Sequence, residues 1–596
     1  MEITRRNVIK TVTASVAAST AMEVLARQQG SGASAAQDFY TRLVRANDRT
    51  VATMLKNEGA PRNRPRGIGR GANVGALVAA YVAPESTYHK QENLIPLMES
   101  AAAVFTAAQH PDGTIDAGNL SSPPDTGFVV EGLATIRAVL RQENDPKLKQ
   151  VEQTLDKFLL AAGEALTTGG VHTPNHRWVI SAALARLNSL YPSAKYVARI
   201  DDWLGEGIYI DADGQFAERS TGIYSRVVDN AFLTMARLLN RPNLLEPVRK
   251  NLNMNLYYIH PDGEVETVGS RRQDQAMVVA ISNYYLQYRY LAIHDSNLQY
   301  AAVARLIELR PGEGVVEGNN PLINFMEEPL LKKPLPEGGS IPDNYAKVFT
   351  NTRLARVRRG DISATIYGGS DWPLGVASGL ASNPTFFNFR KGKAILQSVR
   401  MAGEFFGEGV FRSETFEVNG SEYALHQRFD VPYYQPLPKQ FRNSHGDYAL
   451  TPARDARFWS KLDFPHRRMG NIQTLDQKVV VIEKGGVFEL HFDIGGHNNV
   501  PFTVEFAFRP GGEFSGSLQK ISWHGADVFL LKEGSLQYRV GNDAIEIGPG
   551  QAEHQQLNLS GPSYAAHGAT LETPGIRVYI TGFTPFRNVV TVKSVA

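Results

Sequence analysis

One short motif recurs along the first half of the chain and limits what that half can fold into. "HPDGTI" (110–115), "DADGQF" (211–216) and "HPDGEV" (260–265) each place Asp-Gly before an extended residue, and "TTGGVHTPNH" (167–176) fills the gap between the first two. Asp-Gly in that setting is a turn signal. The turns fall near 112, 169, 213 and 262, a spacing of roughly 45–57 residues that suits helical repeats. Apolar residues at i, i+3, i+4 and i+7 mark helices around them. Examples are "AQDFYTRLVRANDRTVATMLKN", "ENLIPLMESAAAVFTAAQH", "PKLKQVEQTLDKFLLAAGEAL", "RWVISAALARLNSLY", "YSRVVDNAFLTMARLL" and "QAMVVAISNYYLQYRYLAIH". A single helical pair cannot bury its inner face, so stacked pairs bury it together. Closed into a ring, the stack is an α/α toroid with its turns lining one mouth. An open solenoid is the alternative, disfavoured because the turns also carry polar and aromatic residues.

After about residue 345 the texture changes. "RLARVRRGDISATIYGG", "TFFNFRKGKAILQSVRM", "KVVVIEKGGVFELHFDI", "FTVEFAFRPGG" and "GIRVYITGFTPF" are short β-branched or alternating runs ended by Gly, Pro or Asp. Such a length of strand implies antiparallel sheets packed face to face. The chain is therefore expected to be an α+β multidomain protein: an N-terminal incomplete α/α toroid over 37–310 followed by a C-terminal antiparallel β-sandwich over 346–596. Residues 311–345, with "RPGEGVVEGNNP" and "KKPLPEGGS", read as a linker. At 596 residues the chain is too long for one core in any case.

The N-terminus carries "TRRNVIK" (4–10), then the mildly apolar "TVTASVAASTAMEVLA" (11–26) and the small-residue stretch "GSGASAA" (30–36). Twin arginines before a weak apolar segment resemble a Tat export signal. Residues 1–36 are expected to be that signal and a leader, which makes the mature protein periplasmic or secreted. A basic amphipathic first helix is the plainer alternative. Tat cargo folds before export, which agrees with the absence of cysteine. The apolar stretch is too short and too polar for stable membrane insertion. A net charge of +2 argues against nucleic acid as the partner. Local basic runs, "RNRPRGIGR" (62–70), "RLARVRR" (353–359) and "HRR" (466–468), suit an anionic ligand or a solvated surface.

The densest chemistry is "VHTPNHRW" (171–178), where Asn175, His176, Arg177 and Trp178 stand together at a helix entrance. A second cluster is "DADGQFAERSTGIYSRV" (211–227), and a third is "GSRRQDQ" (269–275). Together with the toroid-plus-sandwich order, these resemble polysaccharide lyases: the heparinase II/III-like enzymes, their alginate-lyase relatives and the chondroitin AC/hyaluronate lyases. The Asn-His pair resembles the pair that the alginate and heparin lyases place at a helix start. The second cluster resembles the segment bearing their catalytic tyrosine, which maps onto Tyr224, and the third is a looser echo of an arginine-bearing segment. Two positions depart from the pattern. Arg219 stands where the chondroitin and hyaluronate lyases have a histidine, and "GLASNPTFFNFRKGKAIL" (379–396) offers Asn383 where the heparinase group has another. The zinc-binding His/Asp set of some relatives is not recognisable, and neither metal nor cofactor is expected.

The resemblance implies β-elimination on a uronate polymer, giving a 4,5-unsaturated uronate end. Removing the proton α to a carboxylate requires fixed donors that neutralise the carboxylate, and an amide and an imidazole at a helix N-terminus are such donors. The expected catalytic set is Tyr224, His176, Asn175, Arg219 and Arg272. The expected substrate-binding set is Arg177, Trp178, Tyr209, Arg271, Asn383 and His445, with Trp178, Tyr209 and Tyr257 stacking on sugar faces. The partner is then an anionic polysaccharide or oligosaccharide. An inverting glycoside hydrolase on the same toroid would instead need two carboxylates around a water. Asp112, Asp116, Asp213, Glu218 and Glu264 are its candidates, although Asp112 and Asp213 already serve Asp-Gly turns. A non-catalytic glycan-binding protein is the third class. In "HFDIGGHNN" (491–499), His491, Asp493 and His497 read as solvated strand polars more readily than as a metal site.

Overall fold

The computed structural model describes residues 32–56, 71–310, 320–371, 380–407, 409–454, 459–523, 526–557, 559 and 575–595. The expected export signal, apart from residues 32–36 of its leader, and all of "RNRPRGIGR" lie outside them. The chain divides into two compact units: Met1–Ala217 with Ile223–Leu256 and Ala280–Ile341, and Glu218–Gly222 with Tyr257–Val279 and Pro342–Ala596.

The first unit is helical. Its α-helices are α1 (Gly32–Lys56), α2 (Ala72–Val82), α3 (Ile95–Ala108), α4 (Pro123–Glu143), α5 (Lys149–Thr168), α6 (His176–Leu190), α7 (Ala194–Gly205), α8 (Tyr224–Leu238), α9 (Leu245–Tyr258), α10 (Tyr285–His294), α11 (Leu298–Leu309) and α12 (Leu322–Glu327). Along the chain, inner and outer helices alternate. Inner α4 packs on α6, α6 on α8 and α8 on α10, while outer α3 packs on α5 and α5 on α7. Each inner helix is separated from the next by one returning helix, so the inner helices run parallel. This is the incomplete α/α toroid that the turn spacing predicts. Inner α6 shows why the core sits here: Trp178 to Leu187 are all buried, with Ser181 and Arg186 the polar exceptions.

Two helical expectations change. The pattern "QAMVVAISNYYLQYRYLAIH" becomes α-helix only from Tyr285. Its first part is held as a loop, Val265 N donating to Val279 O at 2.8 Å. The expected linker 311–345 contains α12, whose Leu322, Phe325 and Met326 are buried against α1, α2 and α4. Glu327 and Glu328 then reach Arg237, at 2.8 and 2.7 Å, and Glu327 lies 3.6 Å from Arg186. A stretch expected to be linker is therefore part of the helical core.

The second unit carries the strands β1 (Asn344–Phe349), β2 (Leu354–Arg359), β3 (Ile362–Tyr367), β4 (Phe387–Lys391), β5 (Ala394–Gly403), β6 (Thr415–Asn419), β7 (Glu422–Tyr434), β8 (Thr451–Pro452), β9 (Trp459–Ser460), β10 (Met469–Lys484), β11 (Val487–Gly496), β12 (Pro501–Phe508), β13 (Glu513–Trp523), β14 (Ala526–Val540), β15 (Asp543–Gly548), β16 (Ile576–Phe583) and β17 (Phe586–Val595). The sequence predicts separate facing sheets. Instead a single 15-stranded sheet runs β1-β2-β3-β4-β5-β12-β16-β14-β15-β17-β11-β10-β7-β6, with β13 on β14 and β8-β9 apart. The sheet curls until distant strands face each other: Phe387 and Phe389 of β4 meet Phe488 of β11, at 5.4 and 5.8 Å between ring centroids. A sandwich core forms without a break in the ladder, because β14 pairs in parallel with β16 and carries the sheet round. Within this unit the segment 257–279 is anchored by a buried polar group. His260 Nδ1 lies 3.0 Å from Ser363 Oγ, and Asn388 Nδ2 donates to Glu266 at 2.8 Å.

Candidate active site

Four connections run from an outer helix to the next inner one: 109–122, 169–175, 206–223 and 259–284. The returns, 144–148, 191–193, 239–244 and 295–297, are shorter. The long connections therefore leave from the end at which the inner helices begin. Their Asp-Gly turns are packing devices. Asp112 accepts from Thr114 N at 2.9 Å and Asp262 from Glu264 N at 3.0 Å, while in the middle motif it is Asp211, two residues before the Asp-Gly aspartate, that accepts from Gln215 N at 2.9 Å. Gly113 has φ +89°, and a Cβ there would stand 2.1 Å from Ala161 O of α5. Gly214, at φ +97°, is pressed in the same way on Lys250 O of α9.

Asn175 is the N-cap of α6 and His176 its first residue; no side chain caps that turn. Both are buried, the His176 ring standing edge-on to His172 at 4.7 Å and to Phe128 at 6.4 Å. Tyr224 opens α8, half-buried, and its N-cap Ile223 likewise supplies no side-chain cap. Since α6 and α8 are parallel neighbours, the Asn-His pair and the tyrosine begin adjacent helices at one end of the toroid. Two helix N-termini there favour an anion, through their first-turn N–H groups and their aligned dipoles.

The remaining expected residues divide sharply. Trp178 does not offer a face for stacking: it is 4 % exposed and packs on Phe232 at 4.9 Å, because its position in α6 points into the core. Arg177 lies over the Trp178 ring at 4.7 Å and pairs with Glu206 at 2.7 Å. Tyr209, 57 % exposed, is open to a ligand. The others belong to the second unit. Arg219, at φ +48°, donates to Asn351 O at 2.8 Å. Arg271 makes a two-pronged pair with Asp371, at 2.9 and 3.0 Å. Arg272 is buried on Glu218. Asn383 is also buried, donating to Gln275 O at 2.5 Å and accepting from Thr385 N, so it staples a loop. His445 is exposed on the excursion between β7 and β10. Tyr257 rests edge-on against Tyr345 at 5.1 Å.

Four of the five carboxylates a hydrolase could use are committed elsewhere, Asp112 to Thr114 as above. Asp116 accepts from Ser121 N at 2.7 Å and faces His110 at 3.0 Å. Glu218 holds Arg272. Burial alone would raise Glu264, yet Arg390 and Arg509, each 2.6 Å away, hold its carboxyl at about 2. A carboxyl that acidic is a poor general acid. Among the described residues no group of three His, Cys, Asp or Glu side chains is placed to hold a metal. His491 of β11 pairs with Glu489 at 3.1 Å and Asp493 with Arg587 at 3.0 Å, in keeping with strand-surface polars.

The sequence reading missed the deepest acid of the helical unit. Asp229 of α8 is fully buried, neither of its oxygens accepts a hydrogen bond among the described residues, and burial pushes its carboxyl well above the usual range. One turn-position away, Asn230 donates to Glu131 of α4 at 2.6 Å.

No family model matches the chain, and no curated protein matches it in sequence. Solved structures do match. A heparinase III is similar at TM-score 0.54 and 12% identity, over 88% of this chain and 76% of that one. The chondroitin AC lyase of Streptomyces coelicolor A3, solved with chondroitin sulphate, is similar at 0.53 and 14%, over 94% and 79%. A Paenibacillus xanthan lyase is similar at 0.54 and 9%, over 93% of this chain and 55% of that one. The chain thus has the fold of the polysaccharide lyases, an α/α toroid followed by a large curled antiparallel sheet.

Proposed function

We propose that the protein is an exported lyase that cleaves a uronic-acid-containing polysaccharide by β-elimination. The observation that carries this reading is the start of two adjacent parallel helices, Asn175–His176 on α6 and Tyr224 on α8. In the reaction, Tyr224 removes the proton on the carbon α to the uronate carboxylate. The Asn175 amide, the His176 imidazole and the helix N-termini hold that carboxylate while negative charge develops on it. The bond from the neighbouring carbon to the 4-linked oxygen then breaks and a 4,5 double bond forms. The proton on Tyr224 goes to the departing oxygen, so one group serves as base and acid. This reading needs only residues of the helical unit. Arg272, spent on Glu218, becomes a positioning residue, and Asn383 a loop staple.

The test is a panel of alginate, glucuronan, hyaluronan, chondroitin, heparan, ulvan and rhamnose-glucuronate gums. Purified protein is incubated with each while the ultraviolet absorbance of a double bond conjugated to a carboxylate is followed. A rise with at least one polymer, absent in Tyr224→Phe, supports the proposal. New reducing ends without that absorbance would replace it with hydrolysis.

A further inference from the structure

Between β7 and β10 the chain leaves the sheet for an excursion whose described parts are 435–454 and 459–468. It has little core of its own: Leu437, Ala453 and Phe464 are its buried apolar residues. Even so it displays large apolar side chains. Trp459 is 64 % exposed and Phe441 38 %, and Tyr433, on the strand that leads into it, is 53 % exposed. Aromatic rings left this exposed on one excursion offer apolar faces to a ligand or partner.

Specific contacts fix several of these side chains in place. The Phe441 ring stacks on His466 with centroids 4.0 Å apart and planes at 21°. Trp459 lies opposite Pro452 in the β8-β9 pair. Arg454, two residues on from Pro452, takes Tyr434 Oη at its backbone N–H at 2.8 Å and lies 3.5 Å from Met469 Sδ. Arg467 is locked over the base of the excursion, donating to Gln435 O at 3.2 Å.

The charge around these rings is one-sided. Asp447 is taken by Lys461, and Asp463 lies 2.7 Å from His466 Nδ1. Among the described residues no carboxylate stands within ion-pair distance of Lys439, Arg442, Arg467 or Arg468. A neutral lipid surface or an uncharged protein patch would meet the rings and leave the cations unanswered. Rings interleaved with unpaired cations match a chain with flat apolar faces and a repeating negative charge.

We propose that the described parts of this excursion, 435–454 and 459–468, form a binding surface for a stretch of anionic polysaccharide, with Trp459 and Phe441 stacking on sugar faces and Lys439 and Arg468 meeting carboxylate or sulfate groups. It uses none of the residues assigned to the elimination, and rests on the proposed function only for the class of glycan.

The test is gel affinity electrophoresis of the full-length protein in the Tyr224→Phe background, so that binding is read without turnover. Alginate, hyaluronan and glucuronan are the probes, dextran is the neutral control, and anionic phospholipid vesicles are the membrane control. Phe441→Ala/Trp459→Ala is expected to weaken retention by at least one anionic polymer about tenfold, the worth of two exposed ring contacts. Lys439→Ser/Arg468→Ser should weaken it severalfold, and added salt should abolish the difference between this pair and the parent. Retention unaltered in both pairs, equal retention by dextran, or capture by vesicles in place of the polymers would overturn the proposal. Binding without any cleavage by the Tyr224 form would refute the elimination and leave this surface standing. Cleavage with no change in retention would do the reverse.

Discussion

Replacing Glu327 with leucine should weaken the helical unit measurably, although the residue lies in a stretch that reads as linker. Its side chain is 7 % exposed and stands between two cations, Arg186 at 3.6 Å and Arg237 at 2.8 Å. Removing one member of a buried ion group leaves the others uncompensated, typically a loss of about 3–5 kcal/mol. Here two carboxylates remain: Glu328 is 2.7 Å from Arg237, and Glu131 is 3.8 Å from Arg186. The expected loss is therefore smaller, about 2–4 kcal/mol. At a urea slope of about 3 kcal/mol per molar, the midpoint should drop by about 1 M. Far-ultraviolet circular dichroism reads it, taking the helical transition by itself because a chain of two units need not unfold in one step. The effect must also depend on pH. Burial raises the Glu327 carboxyl, but Arg186 and Arg237 more than offset this and hold it below its ordinary 4.5. A depressed pKa contributes stability above 4.5 that is lost as pH falls through the folded value. The gap between parent and Glu327→Leu should therefore close in acid. An unchanged midpoint at neutral pH, or a gap that persists in strong acid, refutes the reasoning. Arg186→Met/Glu327→Leu should recover part of the loss, since it removes charge on both sides.

Asp229→Asn should stabilise the protein at neutral pH and make no difference in strong acid. The folded carboxyl is raised above its ordinary 3.8, so the parent loses stability as pH rises past that value while the amide does not; urea midpoints against pH check this. Gly113→Ala should lower the thermal midpoint, because a Cβ at φ +89° would stand 2.1 Å from a carbonyl of α5, a loss of about 2 kcal/mol or more. His176→Ala should reduce kcat about 100-fold or more while leaving the fold intact by circular dichroism, as expected for a lost donor to developing charge.

Much of this architecture is legible in the sequence because packing repeats. Gly113 and Gly214 of the Asp-Gly turns sit tight against the outer helices α5 and α9, so the turns mark the helix order. The sheet's hairpins are equally plain, as at Gly360 between β2 and β3. The failures share a cause. Trp178 reads as a ligand platform because a helix entrance looks exposed in one dimension, whereas α6 is enclosed from its first turn. The Glu327 ion group joins residues about 90 and more positions apart, Arg237 to Glu327 being 90 and Arg237 to Glu328 91, and no local pattern records such a pairing. Alternation marks each strand but not whether the ladder closes, so one curled sheet was indistinguishable from two. Within the candidate site, Asn175, His176 and Tyr224 are legible as candidates through helix starts and family likeness. Asp229 is not, since an acid in an amphipathic run looks like part of a solvated face.

Where the oxygen in the product comes from separates elimination from hydrolysis most directly. The polymer that responds best should be digested in water enriched in heavy oxygen and the products weighed by mass spectrometry. The account predicts fragments one water lighter than hydrolysis products at the new non-reducing end, with no heavy oxygen at the cut, and no products from Tyr224→Phe. Fragments that carry one solvent oxygen at the cleaved bond, or undiminished cleavage by Tyr224→Phe, would contradict it.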